Sequence, residues 1–311
     1  MNNHGREDME RIYLDHNSTT QVHDQVLDAM LPYFRERYGN PSSLHSFGQE
    51  SRRALDQARE SVADLIGAFP DEIVFTSGGT EADNQALLGI ADYFGSPYNR
   101  VITTAVEHQA VLNTCLHLEE NGFRVDYLPV DREGRIDLQA LEDLLDEYVV
   151  LISIMLANNE VGTLQPVREA AAIAGEKCIL FHTDAVQAIG RIPVDVNELG
   201  VDLLSISGHK IGGPKGSGAL FVRRGIQAPV LIYGGHHERR RRGGTENVPA
   251  IVGFGEACRL AKKQLAEEKG VRLGSERNYA RVEERLKPYE DRVKLHESNV
   301  ESLRKEISNV R

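Results

Sequence analysis

The segment Ser205-Ile206-Ser207-Gly208-His209-Lys210 closes an apolar run that begins at Val201, then presents a lysine after small residues. An amine set at the mouth of a sheet can form a Schiff base with an aldehyde cofactor, although a lysine after a strand is ordinarily a solvated surface charge. Four other segments place chemistry at comparable positions. Thr76-Ser77-Gly78-Gly79-Thr80-Glu81 follows the apolar Ile73-Val74-Phe75 and precedes a helical pattern from Ala82. Such a turn offers close backbone approach and unpaired N–H groups to a phosphate, or is a plain capped strand-to-helix turn. It is neither a G-x-x-x-x-G-K-[ST] loop nor a G-x-G-x-x-G opening. Asp184, after Ile179-Leu180-Phe181, is a carboxylate in an apolar setting. There it either meets a cation, such as a protonated ring nitrogen, or caps the next helix. Asn158-Asn159 offers amides to a phenolic oxygen or serves turn chemistry. His108 opens a helical pattern as a stacking ring or as a cap.

Taken singly each segment has an ordinary explanation, but all five follow successive apolar runs. In a parallel sheet the strands' carboxyl ends are where ligands bind. A phosphate cradle, an acid for a ring nitrogen, an amide pair, a stacking ring and a lysine together describe a pyridoxal 5'-phosphate site.

The elements that must position these residues alternate along the chain. Ile73–Phe75, Arg100–Thr103, Arg124–Leu128, Val149–Met155, Ile179–Thr183, Asp202–Ile206 and Ala219–Val222 read as strands. Glu107–Asn121, Leu138–Tyr148 and Pro166–Lys177 carry helical periodicity. The expected product is an α/β fold with a mixed, mainly parallel seven-stranded sheet and helices on both faces. From about Gly255 to Leu286 the spacing predicts a long connecting helix, followed by a turn at Pro288, a strand at Arg292–His296 and a helical run from Val300.

At 311 residues the chain has room for one large domain and a smaller unit. A net charge of -11 argues against nucleic acid or anionic membranes as general partners. Arg239-Arg240-Arg241-Arg242 is the local exception, either a solvated loop or a site for an anion or acidic partner. No apolar run approaches the roughly 18 residues of a spanning helix, and residues 1–11 are polar and charged, so neither a membrane span nor a secretory signal is expected. Cys115, Cys178 and Cys258 have no metal-ligand spacing; each is expected to be a packed residue of a cytoplasmic protein.

Eight motifs in order, from Tyr13-Leu14-Asp15-His16-Asn17-Ser18-Thr19-Thr20 and Gly39-Asn40-Pro41-Ser42-Ser43-Leu44-His45, through Thr76–Glu81, Glu107-His108, Asn158–Gly162, His182–Gln187 and Ser207–Lys210, to Gly244-Thr245-Glu246-Asn247, resemble the signatures of NifS/IscS-type cysteine desulfurases. These are class V, fold-type I pyridoxal phosphate enzymes, and the resemblance runs from about Ile12 to Ala257. It implies a large cofactor domain over 16–256, with 1–15 and 257–311 belonging to a small α+β domain whose C-terminal portion is missing. It implies that Lys210 carries the cofactor and moves the substrate Cα proton, that Asp184 keeps the pyridine nitrogen protonated, and that Gln187 bonds the phenolic oxygen. His108 would stack on the ring and take part in proton transfer, with Asn159 near the phenolic oxygen and the substrate. Gly79, Thr80, Ser207 and His209 would hold the phosphate, with Thr245 reaching in from a second subunit of a homodimer, and Gly208 would be a further cofactor-binding residue. The reaction implied takes sulfur from L-cysteine onto an enzyme cysteine, for an Fe–S scaffold or other acceptor, and leaves L-alanine.

The resemblance stops short of that cysteine. The family's nucleophile sits in a small-residue motif like S-G-S-A-C in the C-terminal domain, and here no cysteine follows Cys258; the later arginine for the substrate carboxylate is not identifiable either. The chain thus reads as a truncated desulfurase with its cofactor half complete. The alternatives are a selenocysteine lyase or another class V lyase, and a non-catalytic cofactor-binding fragment or scaffold.

Overall fold

In the computed structural model, residues 12–94, 98–227, 230–269 and 287 are described. Cα proximity divides the chain into Met1–Lys262 and Lys263–Arg311. Within the first unit the helices are α1 (Asp24–Met30), α2 (Pro32–Arg35), α3 (Ser46–Ile66), α4 (Gly79–Phe94), α5 (Gln109–Glu120), α6 (Leu138–Leu144), α7 (Val167–Glu176) and α8 (Val196–Leu199). The strands are β1 (Ile73–Thr76), β2 (Arg100–Thr104), β3 (Arg124–Leu128), β4 (Val149–Ser153), β5 (Leu180–Asp184), β6 (Leu203–Ser207) and β7 (Gly218–Val222). Residues 248–262 are helical and end this unit; in the second, 263–269 are helical, with an ion pair of 3.7 Å between Lys263 and Glu267.

The seven strands form one sheet in the order β1-β7-β6-β5-β4-β2-β3. Pairings from β6 through β5, β4 and β2 to β3 are parallel, whereas β7 runs antiparallel to both β6 and β1. The mixed, mainly parallel sheet expected from the alternating pattern is therefore present. β1, β2, β4, β6 and β7 are buried at every residue, as strands covered on both faces should be. β3, at the sheet edge, alternates Arg124, Asp126 and Tyr127 with Val125 and Leu128, and Leu128 alone is fully buried.

Helices α4 and α5 pack on each other and on the sheet, enclosing Leu87, Ile90, Val111, Cys115, Leu151 and Leu220. A second layer holds α6, α7 and α8, with α7 against β5. Complete burial of such side chains contributes roughly 1.5–3 kcal/mol each, so the two layers fix the sheet firmly beneath its loops.

Most boundaries shift by a residue or two, and two expected C-terminal ends move by two residues or more. The helix expected to run to Tyr148 stops at Leu144 because Asp146 turns the chain: its carboxylate accepts the Tyr148 N–H at 3.0 Å and pairs with Arg100 at 2.5 Å. The strand expected to run to Met155 ends at Ser153, although Ile154 and Leu156 still donate to the carbonyls of His182 and Asp184. Helix 248–269 covers part of the expected connecting helix; the rest of it, with the expected turn, strand and final helical run, lies outside the described residues.

Cys115 and Cys258 are packed, as expected, but Cys178 is exposed. It occupies the turn from α7 into β5 with φ 58°, a position taken to close the helix rather than to fill a core.

Candidate functional site

Five loops at one edge of the sheet converge on a cavity of about 190 Å³. Its lining includes Gly79 and Thr80 after β1, His108 after β2, Asn159 after β4, Asp184 and Gln187 at the end of β5, and Ser207, His209 and Lys210 after β6. Nine of the eleven residues expected to form a site are thus brought together. Gly208 lies just below the surface, where a side chain would come within 2.6 Å of Ser217 Oγ. Thr245 is exposed and does not line this cavity.

Each side chain is held by its local element. Lys210 closes a 3₁₀ turn, Gly208–Lys210, that follows directly from β6. Its ammonium donates to the carbonyls of Asn17 and, at 3.0 Å, Ser18. Burial lowers the Lys210 pKa, with Arg191 adding to the effect and Asp184 and Asp15 opposing it. A neutral amine at this position is therefore easier to reach than on an open surface.

Asp184 accepts the Val186 N–H at 2.8 Å, so it organises the turn after β5 without capping a helix. Burial raises its pKa, opposed by that N–H and by the charges of His108 and Lys210. His108 is the N-cap of α5, its Nδ1 accepting from Ala110 N at 3.1 Å. His209 is fixed by a contact of 3.1 Å between Nδ1 and Thr19 Oγ1, and burial lowers its pKa.

On the opposite wall, the first turn of the 16-residue α4 begins at Gly79, where the leading amides have no acceptor within the helix. A Cβ at Gly79 would lie 2.8 Å from Val186 Cγ2 and would crowd the cavity wall. The remaining polar edge is formed by Gln187 and Asn159. Gln187 donates from Nε2 to Asn17 O at 2.9 Å while its buried Oε1 has no partner, and Asn159 donates to Glu160 at 2.7 Å.

These features fit pyridoxal phosphate. A helix N-terminus beside Thr80, Ser207 and His209 suits a dianionic phosphate. A buried aspartate suits a protonated pyridine nitrogen, an unpaired amide oxygen lies at the polar edge, and an amine stands at the mouth.

Sequence reasoning missed several lining residues: Ser18, Asp83, Met155 and Val186. Asp83 had a legible signal, being an acid on the otherwise apolar face Ala82, Ala86, Leu87, Ile90 of α4. Met155 and Val186 look like core residues and gave none. Among the described residues no group of His, Cys, Asp and Glu could hold a metal ion. No described helix is long and apolar enough to cross a membrane.

The basic run is largely committed within the chain. Arg241 donates to Ile73 O at 3.1 Å and Arg242 pairs with Glu81 at 2.8 Å, while Arg239 and Arg240 are exposed. Glu238 before them is buried, in a two-pronged pair with Arg59 at 2.6 and 2.7 Å.

The profile of the family described as "Aminotransferase class-V" matches residues 12–310. A protein of Methanosarcina thermophila named "Cysteine desulfurase IscS" is 51% identical over 82% of this chain, which spans 63% of that relative's length, under two thirds. A solved structure titled "NIFS-LIKE PROTEIN" is 47% identical with a TM-score of 0.81, covering 83% of this chain and 71% of its own. Another, "SspA in complex with cysteine", is 42% identical with a TM-score of 0.78, covering 80% and 72%.

Proposed function

The chain belongs to the class V aminotransferase family, which depends on pyridoxal phosphate; since similar proteins include ones named cysteine desulfurase, we propose that it is the cofactor-binding part of such a desulfurase. One observation carries this reading: the loops after β1, β2, β4, β5 and β6 bring Lys210, Asp184, His108 and a helix N-terminus to a single cavity.

When bound, pyridoxal phosphate supplies an electron sink that weakens the Cα–H bond of an amino acid. The chain's own residues do the rest. Lys210 Nζ, with its lowered pKa, is the nucleophile that holds the cofactor and the base that takes the Cα proton. Asp184, as a carboxylate, keeps a proton on the ring nitrogen. Gln187 and Asn159 would orient the phenolic edge, His108 would stack on the ring, and Gly79, Thr80, Ser207 and His209 would hold the phosphate, with Gly208 in the turn between the last two.

The substrate on this reading is L-cysteine, the molecule named with one similar structure. The thiolate that takes the sulfur is not one of this chain's three cysteines. Burial pushes Cys115 up to about 12 and raises Cys258 further, and Cys178 lies before β5, at the end of that strand away from Asp184. We assign 16–256 to the cofactor domain and 1–15 with 257–311 to part of a smaller one. We also assign a homodimer in which Thr245 of one copy completes the site of the other, a cytoplasmic location, and an Fe–S scaffold or similar protein as sulfur acceptor.

The test is to add pyridoxal phosphate, record the visible band of the lysine-bound cofactor, then supply L-cysteine and a reducing thiol and measure alanine and sulfide. The expected result is a band with no persulfide on the chain. Absence of a band contradicts the cofactor reading. Persulfide on Cys115, Cys178 or Cys258 with repeated turnover contradicts the assignment of the thiolate. L-Selenocysteine run in parallel separates a selenium-specific lyase from a desulfurase.

A further inference from the structure

Behind the cavity lies a buried polar cluster that the proposed chemistry leaves unused. His182, fully buried on β5, is fixed between two hydroxyls, with Nδ1 2.8 Å from Ser153 Oγ and Nε2 2.9 Å from Ser205 Oγ. Asp83 Oδ1, on α4, stands 3.6 Å from His182 Nε2. Asp83 is 1% exposed, borders the cavity, and its Oδ1 has no hydrogen-bond partner. Asp184 follows His182 by two positions on β5, so both side chains leave the strand on the same face.

Two carboxyl groups in one water-excluded cluster cannot both hold charge cheaply. The donors decide which one does. Asp184 has the Val186 N–H at 2.8 Å and the charges of His108 and Lys210. Asp83 has His182, which burial holds neutral with its pKa lowered to about 3, and Ser205, which only partly offsets burial; Asp184 and Glu107 both act on it as like charges. A buried carboxylate oxygen without a donor is costly, whereas the same oxygen bearing a proton can reach His182 Nε2 after a small rotation.

We propose that Asp83 is a positioning residue for the site: a neutral carboxylic acid that leaves the cluster's negative charge on Asp184, the acid assigned to the cofactor's ring nitrogen. The part concerning the ring rests on the cofactor reading above; the protonation of Asp83 does not. Asp83 acts through Asp184 and touches no reacting atom. Its proton is retained throughout the reaction, and the polar chain Ser153–His182–Ser205 keeps its carboxyl in place.

The experiment labels aspartate carboxyls with ¹³C and follows them by NMR in the cofactor-free and cofactor-treated chain. At pH 7 one resonance is expected at the protonated position in both, and it is absent in Asp83→Asn. If no aspartate is protonated at pH 7, or if that resonance survives in Asp83→Asn, the proposal is overturned. This arm needs no bound cofactor, so failure to bind pyridoxal phosphate would count against the cofactor reading alone. Should Asp83→Asn not fold, Ser205→Ala provides the second arm: loss of a donor to Asp83 leaves the resonance protonated to higher pH, and an unmoved titration overturns the proposal. In cofactor-treated protein, ¹⁵N at the ring nitrogen reads the consequence. Asp83→Asn, a neutral mimic, is expected to leave that nitrogen protonated and the dissociation constant within about threefold of the original, and a change of tenfold or more contradicts the assignment.

Discussion

Lys210 and Asp184 illustrate how burial at a strand end prepares ordinary residue types for chemistry. The same burial lowers the amine's pKa and raises the acid's, and each group's charge opposes the shift of the other. On the proposed reading, Asp184→Asn would remove a charge-assisted hydrogen bond to the cofactor's ring nitrogen, worth about 1.5–3 kcal/mol. Asp184→Asn should therefore weaken pyridoxal phosphate binding by roughly ten- to a hundredfold, measured by titrating the visible band. Glu107 is a cleaner probe of burial, because it is 5% exposed and accepts from Met155 N at 3.0 Å and Thr104 Oγ1 at 2.7 Å through one oxygen. Burial pushes its pKa from 4.5 to about 8. Between those values the folded chain keeps a proton that the unfolded chain has released, so rising pH favours unfolding. Glu107→Gln preserves the accepting oxygen and should be the more stable protein at pH 8 by a few kcal/mol in urea unfolding, with little difference below pH 4.5. The positions of Lys210, Asp184 and His108 were legible in the sequence because each follows an apolar run that had to be a strand. Asp83 was legible too, as the one acid on the apolar face of α4, but it follows no strand and so falls outside the strand ends that pointed to the others.

At the scale of elements, the strand-to-helix turns carry the site, and the loop that holds Glu238 is tied to the outermost strand, β1. Glu238 is buried, accepts the Phe75 N–H at 3.0 Å, and pairs with Arg59 on α3. Arg59→Leu strands that carboxylate and should cost about 3–5 kcal/mol in urea unfolding. Glu238, Arg239 and Arg240 have φ of 45°, 57° and 68° in succession, a left-handed stretch without glycine. Arg240 is exposed, so replacing it tests the backbone in isolation. Relief of the roughly 1–2 kcal/mol cost of left-handed geometry, less the entropy of a freer unfolded chain, predicts that Arg240→Gly gains up to about 1 kcal/mol. The order of strands and helices could be read from alternation, whereas their ends could not. Asp146 ends a helix by side-chain hydrogen bonds that periodicity does not register. The role of the arginine run was equally hidden, since four adjacent cations say nothing of which ones find Glu81 or a carbonyl.

For the molecule as a whole, buried titratable groups make stability depend on pH. His182, lowered to about 3 from 6.5, binds a proton in the unfolded chain before the folded one, so stability is lost as pH falls through that window. Glu107 acts in the opposite sense between 4.5 and about 8, and the raised acids Asp83 and Asp184 act in the same direction as Glu107. Above pH 6.5, where the His182 contribution is complete, the raised acids alone of these groups still act, so stability should fall as pH rises from 6.5 to about 8. With no tryptophan in the chain, circular dichroism in urea is the suitable probe. Asp83 and Asp184 line one cavity, and the central claim is that the cavity holds pyridoxal phosphate on Lys210. The most direct measurement is to add the cofactor, reduce the linkage with borohydride, digest the protein and locate the modified lysine by mass spectrometry. The cofactor is predicted on Lys210, with none incorporated in Lys210→Ala; modification of a different lysine, or none at all, would contradict the account.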